Sequence, residues 1–295
     1  MPLQQATAAL LPRCPFPPPG TPVVCAVSGG ADSLALLALA VAAGCEAEAV
    51  HVDHALRAGS ADEFETVQAA ARALGVPARS VRVHVGDGPN LEARARAARA
   101  AALPADAMTG HTADDQAETV LINLLRGAGL DGLSGMRADV RRPLLALRRH
   151  ETRALVAALG WPVVDDPSNA DPRFLRNRVR HDLLPRLARI AERDLVPVLA
   201  RQAGLLRDEA DLLDQLATAL DPTDARALAT APPALARRAV RRWLTDLDAE
   251  RHPPDAATVE RVLDVAAGRA IGCEVGAGRQ VRRREQRLRL EPPIG

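Results

Sequence analysis

The residues best suited to chemistry stand in a short polar segment, Ser28-Gly29-Gly30-Ala31-Asp32-Ser33, between two apolar runs, Val23 to Val27 and Leu34 to Val41. A strand that ends in a glycine-rich turn and opens directly into a helix builds an anion site. Glycine allows backbone conformations that a side chain forbids. Free N–H groups at the helix start then point at the anion, and the helix dipole adds to the attraction. Ser28 and Ser33 add hydroxyl donors. Asp32 makes sense beside a phosphate mainly if Mg²⁺ lies between them; its other reading is a cap on the helix that begins there.

Three further segments carry polar groups of the right kind. GHTADDQAET (110–119) places Asp114 and Asp115 at a strand-to-helix turn. Carboxylates there cap the helix or, facing the first loop, hold Mg²⁺ or a cationic amine. His111 reads as a phosphate contact or a structural hydrogen bonder. His51 and His54 of HVDH are weak as a metal pair and suit an adenosine-contacting or structural role. Arg126, ahead of Gly127 and Gly129, reads as the end of a helix. In RNRVR (176–180), three arginines surround Asn177 and suit the grip of RNA or of a leaving phosphate.

Positioning these groups requires a scaffold, and the first half of the chain reads as one. Strand patterns at VVCAV, 46–52, 78–85 and ADAMTG alternate with helical ones at 32–43, 61–74, 91–102 and 113–126. That alternation implies βαβ units on a parallel sheet with helices on both faces, whose ligands bind at the carboxyl ends of the strands. SGGADS, HVDHALR and GHTADDQAET all fall at such ends. A further strand is expected around RPLL (142–145), a helix over 148–159, and a proline-broken loop to about Phe174. The formal G-x-G-x-x-G match GAGLDG (127–132) follows a helix instead of a strand and is rejected as a dinucleotide site. The expected organisation is an N-terminal extension (1–20), an α/β domain (21–190), a helical connector (191–220) and a smaller, mostly helical C-terminal domain (221–295).

Composition excludes several chemistries. All 38 basic residues are Arg, so there is no Walker-type G-K-[ST] loop, Schiff-base lysine or lysine general base. The four cysteines form no C-x-x-C pair, which points to a reducing cytoplasm and away from a thiol relay. No apolar run reaches the length of a membrane span. Residues 1–136 hold 9 Arg against 14 acidic residues, whereas 137–295 hold 29 against 23. The later arginines cluster at 173–180, 237–242 and 279–289, as a phosphate backbone would select.

SGGADS after its strand resembles the SGGxDS pyrophosphate loop (PP-loop) of the N-type ATP pyrophosphatases. Together with HVDHALR (51–57), GHTADDQAETVLINLLRGAGLDGLSGM (110–136), RPLL and DDPSNADPRFLRNRVRHDLLPRL (165–187), it resembles the tRNA(Ile)-lysidine synthetases over roughly residues 22–190. The resemblance implies a Rossmann-like PP-loop α/β domain followed by a helical domain. It implies that ATP adenylates the C2 carbonyl of the wobble cytidine in a CAU-anticodon isoleucine tRNA. Free L-lysine then displaces AMP, so AMP and pyrophosphate are released and the tRNA reads AUA and accepts isoleucine. Asp32, Asp115, Arg176 and Arg178 would be catalytic, Ser28 to Ser33 would hold ATP, and Asp32 and Asp115 would hold Mg²⁺. His54, His111, Asp114, Arg126 and Asn177 would contact substrates, with Arg126 in a mobile substrate loop. A cytoplasmic location is implied and a homodimer allowed. Another adenylating tRNA-modifying enzyme, or a nucleotide-binding module without catalysis, stays open as the alternative.

Overall fold

The computed structural model describes residues 2–53, 60–83, 91–165, 170–248 and 252–292. The chain divides into two units, residues 1–205 and 206–295.

In the first unit, α1 (Leu3–Thr7) precedes β1 (Pro22–Ala26), α2 (Ala31–Ala42), β2 (Glu46–Asp53), α3 (Ser60–Leu74), β3 (Ala78–Arg82), α4 (Leu91–Ala102), β4 (Met108–Thr109) and α5 (Ala113–Leu125). The strands form one parallel sheet in the order β3-β2-β1-β4. β1 is therefore central, and the loop that follows it opens between two neighbouring strand ends. Leu34, Leu36, Leu37 and Leu39 of α2 are all fully buried, with Ala35, Ala38 and Ala40 between them. A helix apolar all round must lie inside, and each such leucine contributes roughly 2 kcal/mol of transfer free energy. That burial anchors the helix whose first turn carries Asp32. The first twenty residues belong to the same core: Leu3, Ala6, Leu10, Leu11 and Phe16 pack against it.

Beyond α5 come α6 (Leu130–Leu133), α7 (Arg149–Ala158), α8 (Leu175–Arg178), α9 (Leu184–Ile190) and α10 (Val196–Ala217). RPLL is not a strand. Pro143 to Ala146 form a 3-10 turn with proline in its first position, since proline has no N–H to give a sheet ladder. The Thr109 N–H (2.8 Å) and hydroxyl (3.3 Å) both donate to the Arg141 carbonyl, linking β4 to this segment just ahead of the turn. Leu144, Leu145 and Leu147 are buried and so fix where α7 begins. One wide π turn, Val179–Leu183, extends α8.

The second unit holds the end of α10, then α11 (Ala225–Thr230), α12 (Pro233–Asp246), α13 (Ala256–Ala266) and the strands β5 (Gly272–Gly276), β6 (Arg279–Arg284) and β7 (Arg287–Glu291). These strands form an antiparallel sheet in sequence order. Val240, Val262, Val265, Val281 and Leu288 build the core of the unit. The expectation of a mostly helical region holds, with this small sheet added. No helix among the described residues is long and apolar enough to cross a membrane.

Candidate functional site

The glycine-rich loop has the form its sequence requires. Gly29 has φ +82° and lies so close to Val164 that a Cβ would meet its Cγ2 at 2.9 Å. Gly30 is the N-cap of α2 and supplies no side-chain cap. No acceptor among the described residues takes the N–H groups of Gly30, Ala31 or Asp32. The loop is braced from within: the Ser33 hydroxyl donates to the Gly30 carbonyl (2.8 Å) and accepts from the Ser28 N–H (3.1 Å). The result is a concave row of donors at a helix start.

Asp32 does not cap that helix. Its Oδ1 accepts from the Thr152 hydroxyl, and its Oδ2 lies 3.5 Å from Nε of Arg149. Burial raises the pKa of its carboxyl, the Thr152 bond opposes this, and the negative charge of Asp115 adds to the rise.

Asp115 combines both readings. One oxygen completes a capping box, accepting from the Thr112 N–H (2.9 Å) and hydroxyl (3.0 Å). The other faces the guanidiniums of Arg149, Arg180 and Arg176 at 3.0, 3.3 and 3.5 Å. Burial works against its ionisation, but Arg149, Arg176 and the Thr112 N–H outweigh burial, and its pKa lies below the ordinary value. Glu118, one turn further along α5, is fully buried and is held by Arg180 (2.6 Å), Arg176 (2.8 Å) and Arg149 (3.2 Å). Arg176 and Arg180 are four residues apart and so share one helical face.

The sequence-derived site residues thus fall into groups. Ser28 to Ser33, Asp115 and Arg176 come together at the carboxyl end of the sheet. Asp114 stands beside them as a strut, accepting from Arg148 Nε (3.1 Å) and the Arg149 N–H (2.8 Å). The Thr109 hydroxyl and His111 Nδ1 lie 2.8 Å apart. Asn177 is buried and donates to the Asp171 carbonyl (2.8 Å). Arg126 is the exposed C-cap of α5, ahead of Gly127 at φ +73°. Arg178 points away from the cluster, donating to the carbonyls of Pro172 (2.8 Å) and Arg173 (3.0 Å). His51 is buried with Nδ1 3.1 Å from the Val27 carbonyl, tying β2 to β1; His54 lies outside the described residues. Sequence reasoning does not single out Glu118, Arg149 or Thr152. Glu118 carries a signal, the i,i+3 spacing from Asp115; Arg149 and Thr152 carry none without knowledge of where α7 packs.

The comparisons with known proteins agree with this geometry. Residues 5–187 match a family model described as a PP-loop domain, and residues 224–289 match the TilS substrate binding domain. The tRNA(Ile)-lysidine synthase of Nocardia farcinica is 43% identical over 244 residues, which is 77% of each chain. The chain belongs to the tRNA(Ile)-lysidine synthase family. The Streptomyces coelicolor tRNA(Ile)-lysidine synthase is 40% identical over 305 aligned residues, 92% of this chain and 87% of that one. Among solved structures, the U34-tRNA thiolase NcsA of Methanococcus maripaludis superposes with a TM-score of 0.53 at 18% identity, covering 70% of this chain and 78% of that one. At that identity the likeness shows the shared fold alone.

As a family member the chain carries the ATP-using PP-loop, and the arrangement suits it. The loop's N–H groups can take a polyphosphate, and the acid–arginine cluster beside it can neutralise charge of either sign. The residues also bear on Mg²⁺. Asp32, partly exposed beside the loop, suits an ion shared with phosphate oxygens. Asp115, with three guanidiniums on one oxygen and a helix cap on the other, does not. Among the described residues no group of three or more His, Cys, Asp or Glu side chains is placed to hold a metal ion.

Proposed function

We propose the following division of labour for lysidine formation on tRNA(Ile), the activity that its family assigns to this ATP-using ligase. The loop from Ser28 to Ser33 binds the polyphosphate through the N–H groups of Gly30, Ala31 and Asp32. Asp32 would hold Mg²⁺ on the phosphate side, where the ion would neutralise charge building on the leaving pyrophosphate. The wobble cytidine of the CAU anticodon is adenylated at its C2 oxygen, and the amine of free L-lysine displaces AMP.

Lysine's ammonium finds its counter-charge at Asp115 and Glu118 and gives a proton to one of these carboxylates before the neutral amine attacks C2, and Arg176 stabilises the anionic AMP leaving group. Arg178, exposed on the same short helix, meets the tRNA; Arg126 does so at the end of α5. The chain acts in the cytoplasm, and as a homodimer, which sedimentation would test. Domain functions follow the same line: residues 21–190 carry catalysis, 191–220 connect, and 221–295 bind the tRNA body.

One observation supports this reading most. A carboxylate, Asp32, sits at the start of an anion-binding helix without capping it, across from a second acidic group. A nucleotide-binding module has no use for that arrangement. Sulfur transfer is disfavoured too, because Cys14, Cys25, Cys45 and Cys273 form no C-x-x-C pair and Cys25, three residues ahead of the loop, is fully buried. The test is the fate of ATP with and without tRNA. AMP and pyrophosphate formed only with tRNA present support the reading, whereas steady release of ADP overturns it.

A further inference from the structure

Every carboxylate oxygen in the acidic cluster is already engaged. Glu118 Oε1 accepts from Arg180 and Arg149, and Oε2 from Arg176 and Arg180. Asp115 divides its oxygens between Thr112 and three guanidiniums, and Asp32 between Thr152 and Arg149. Three carboxylates face three guanidiniums, so the formal charges cancel. A substrate ammonium therefore cannot enter without expelling a cation, and an unbalanced buried charge is costly.

Arg149 is the member best placed to leave. Of the three arginines it is the one whose ion pairs extend to Asp32, the residue inside the phosphate loop. At Glu118 its contact, 3.2 Å, is longer than those of Arg180 and Arg176, 2.6 and 2.8 Å, whereas at Asp115 it is the closest of the three at 3.0 Å. A polyphosphate seated on the loop would offer its guanidinium a stronger, bidentate partner.

We propose that Arg149 is a shared counter-ion that makes ATP a precondition for amine binding. In the nucleotide-free protein it neutralises Asp32, Asp115 and Glu118. When ATP docks, it turns to the phosphates and frees the oxygens of Asp115 and Glu118 that it held, which the ammonium of lysine then takes. This rests on the reading of Asp115 and Glu118 as the lysine site.

The experiment is calorimetric titration of L-lysine into the full chain, alone and saturated with α,β-methylene-ATP and Mg²⁺. Wild-type protein should bind lysine about tenfold tighter with the nucleotide, within the usual range of coupling between sites. Arg149→Gln should bind lysine without nucleotide about as tightly as with it. Arg149→Lys, which keeps a charge in the cluster should the first variant fold poorly, should reduce the ratio at least about threefold, because an ammonium cannot bridge three carboxylates as a planar fork does. A wild-type ratio near one, or an unchanged ratio in the folded variants, overturns the counter-ion role. Asp115→Asn separates the two levels. Unimpaired lysine binding there overturns the lysine site itself; lost binding beside an unchanged Arg149 ratio overturns only the counter-ion.

Discussion

Gly110 lies directly against the backbone of Asp32: a Cβ on Gly110 would stand 2.6 Å from the Asp32 carbonyl oxygen and 2.8 Å from its carbonyl carbon. The β4–α5 loop and the first turn of α2 thus meet backbone to backbone, and this contact sets the distance between the two acidic groups. Gly110→Ala must push the loops apart, because no flexible side chain can yield. The expected cost is about 1–3 kcal/mol of stability and on the order of a hundredfold in turnover, since misplacement by about 1 Å is enough for that. Thermal melting and single-turnover kinetics on one sample check both numbers.

Thr152 and Asp32 should separate positioning from catalysis. Thr152→Val removes the hydroxyl that orients Asp32 but leaves the charge, and turnover should fall by roughly tenfold, in keeping with about 1.4 kcal/mol for one charge-assisted bond. Asp32→Asn removes the charge and should cut turnover by orders of magnitude. If the two variants lose the same amount, Asp32 acts only through its hydrogen bonds.

Opposite pKa shifts in the two aspartates give opposite effects of pH on stability. Asp115 has a folded pKa below the ordinary 3.8. Its contribution is therefore present above about pH 4 and is lost as pH falls through the folded value. Asp32 has a folded pKa above the ordinary 3.8; it costs stability at neutral pH, and acidification relieves that cost. At pH 7, Asp115→Asn should lower the melting temperature and Asp32→Asn should leave it unchanged or raise it. As pH falls below 4 the gap between the Asp115 variant and wild type should narrow, a trend that melting curves from pH 7 down into the acid range would reveal.

The arginines of the C-terminal sheet are not equivalent. Arg283 donates to the Ala266 carbonyl (2.8 Å) and so ties β6 to α13. Arg282 and Arg284 pair with Glu291 at 3.2 and 3.1 Å, and Arg289 is exposed. Arg283→Gln should destabilise the unit. Arg284→Gln with Arg289→Gln should spare stability and reduce the salt dependence of tRNA binding, by about 0.7–0.9 in the logarithmic slope for each phosphate no longer neutralised. Filter binding at several salt concentrations measures the slope.

Much of this was legible because the signals are local. SGGADS between two apolar runs marks a strand, a phosphate turn and a buried helix within twenty residues, and the βα alternation continues that pattern. RPLL misled because buried leucines in a 3-10 turn carry the same apolar pattern as a short strand, and Pro143 alone tells them apart. Arg149 and Thr152 stayed hidden for a different reason. Their partners Asp32, Asp115 and Glu118 lie 31 to 120 residues away in the chain, and only the packing of α7 brings them together. The α8 arginines were visible as a cluster, yet sequence could not say that Arg176 turns inward and Arg178 outward.

The central claim is tested most directly by incubating the protein with ATP, labelled L-lysine and a CAU-anticodon isoleucine tRNA transcript, followed by nucleoside analysis. The account predicts lysidine at the wobble position, with one AMP and one pyrophosphate released per lysine incorporated, and none with an anticodon lacking the wobble cytidine. ATP consumption with the cytidine left unmodified, or label recovered at any other nucleoside, would contradict it.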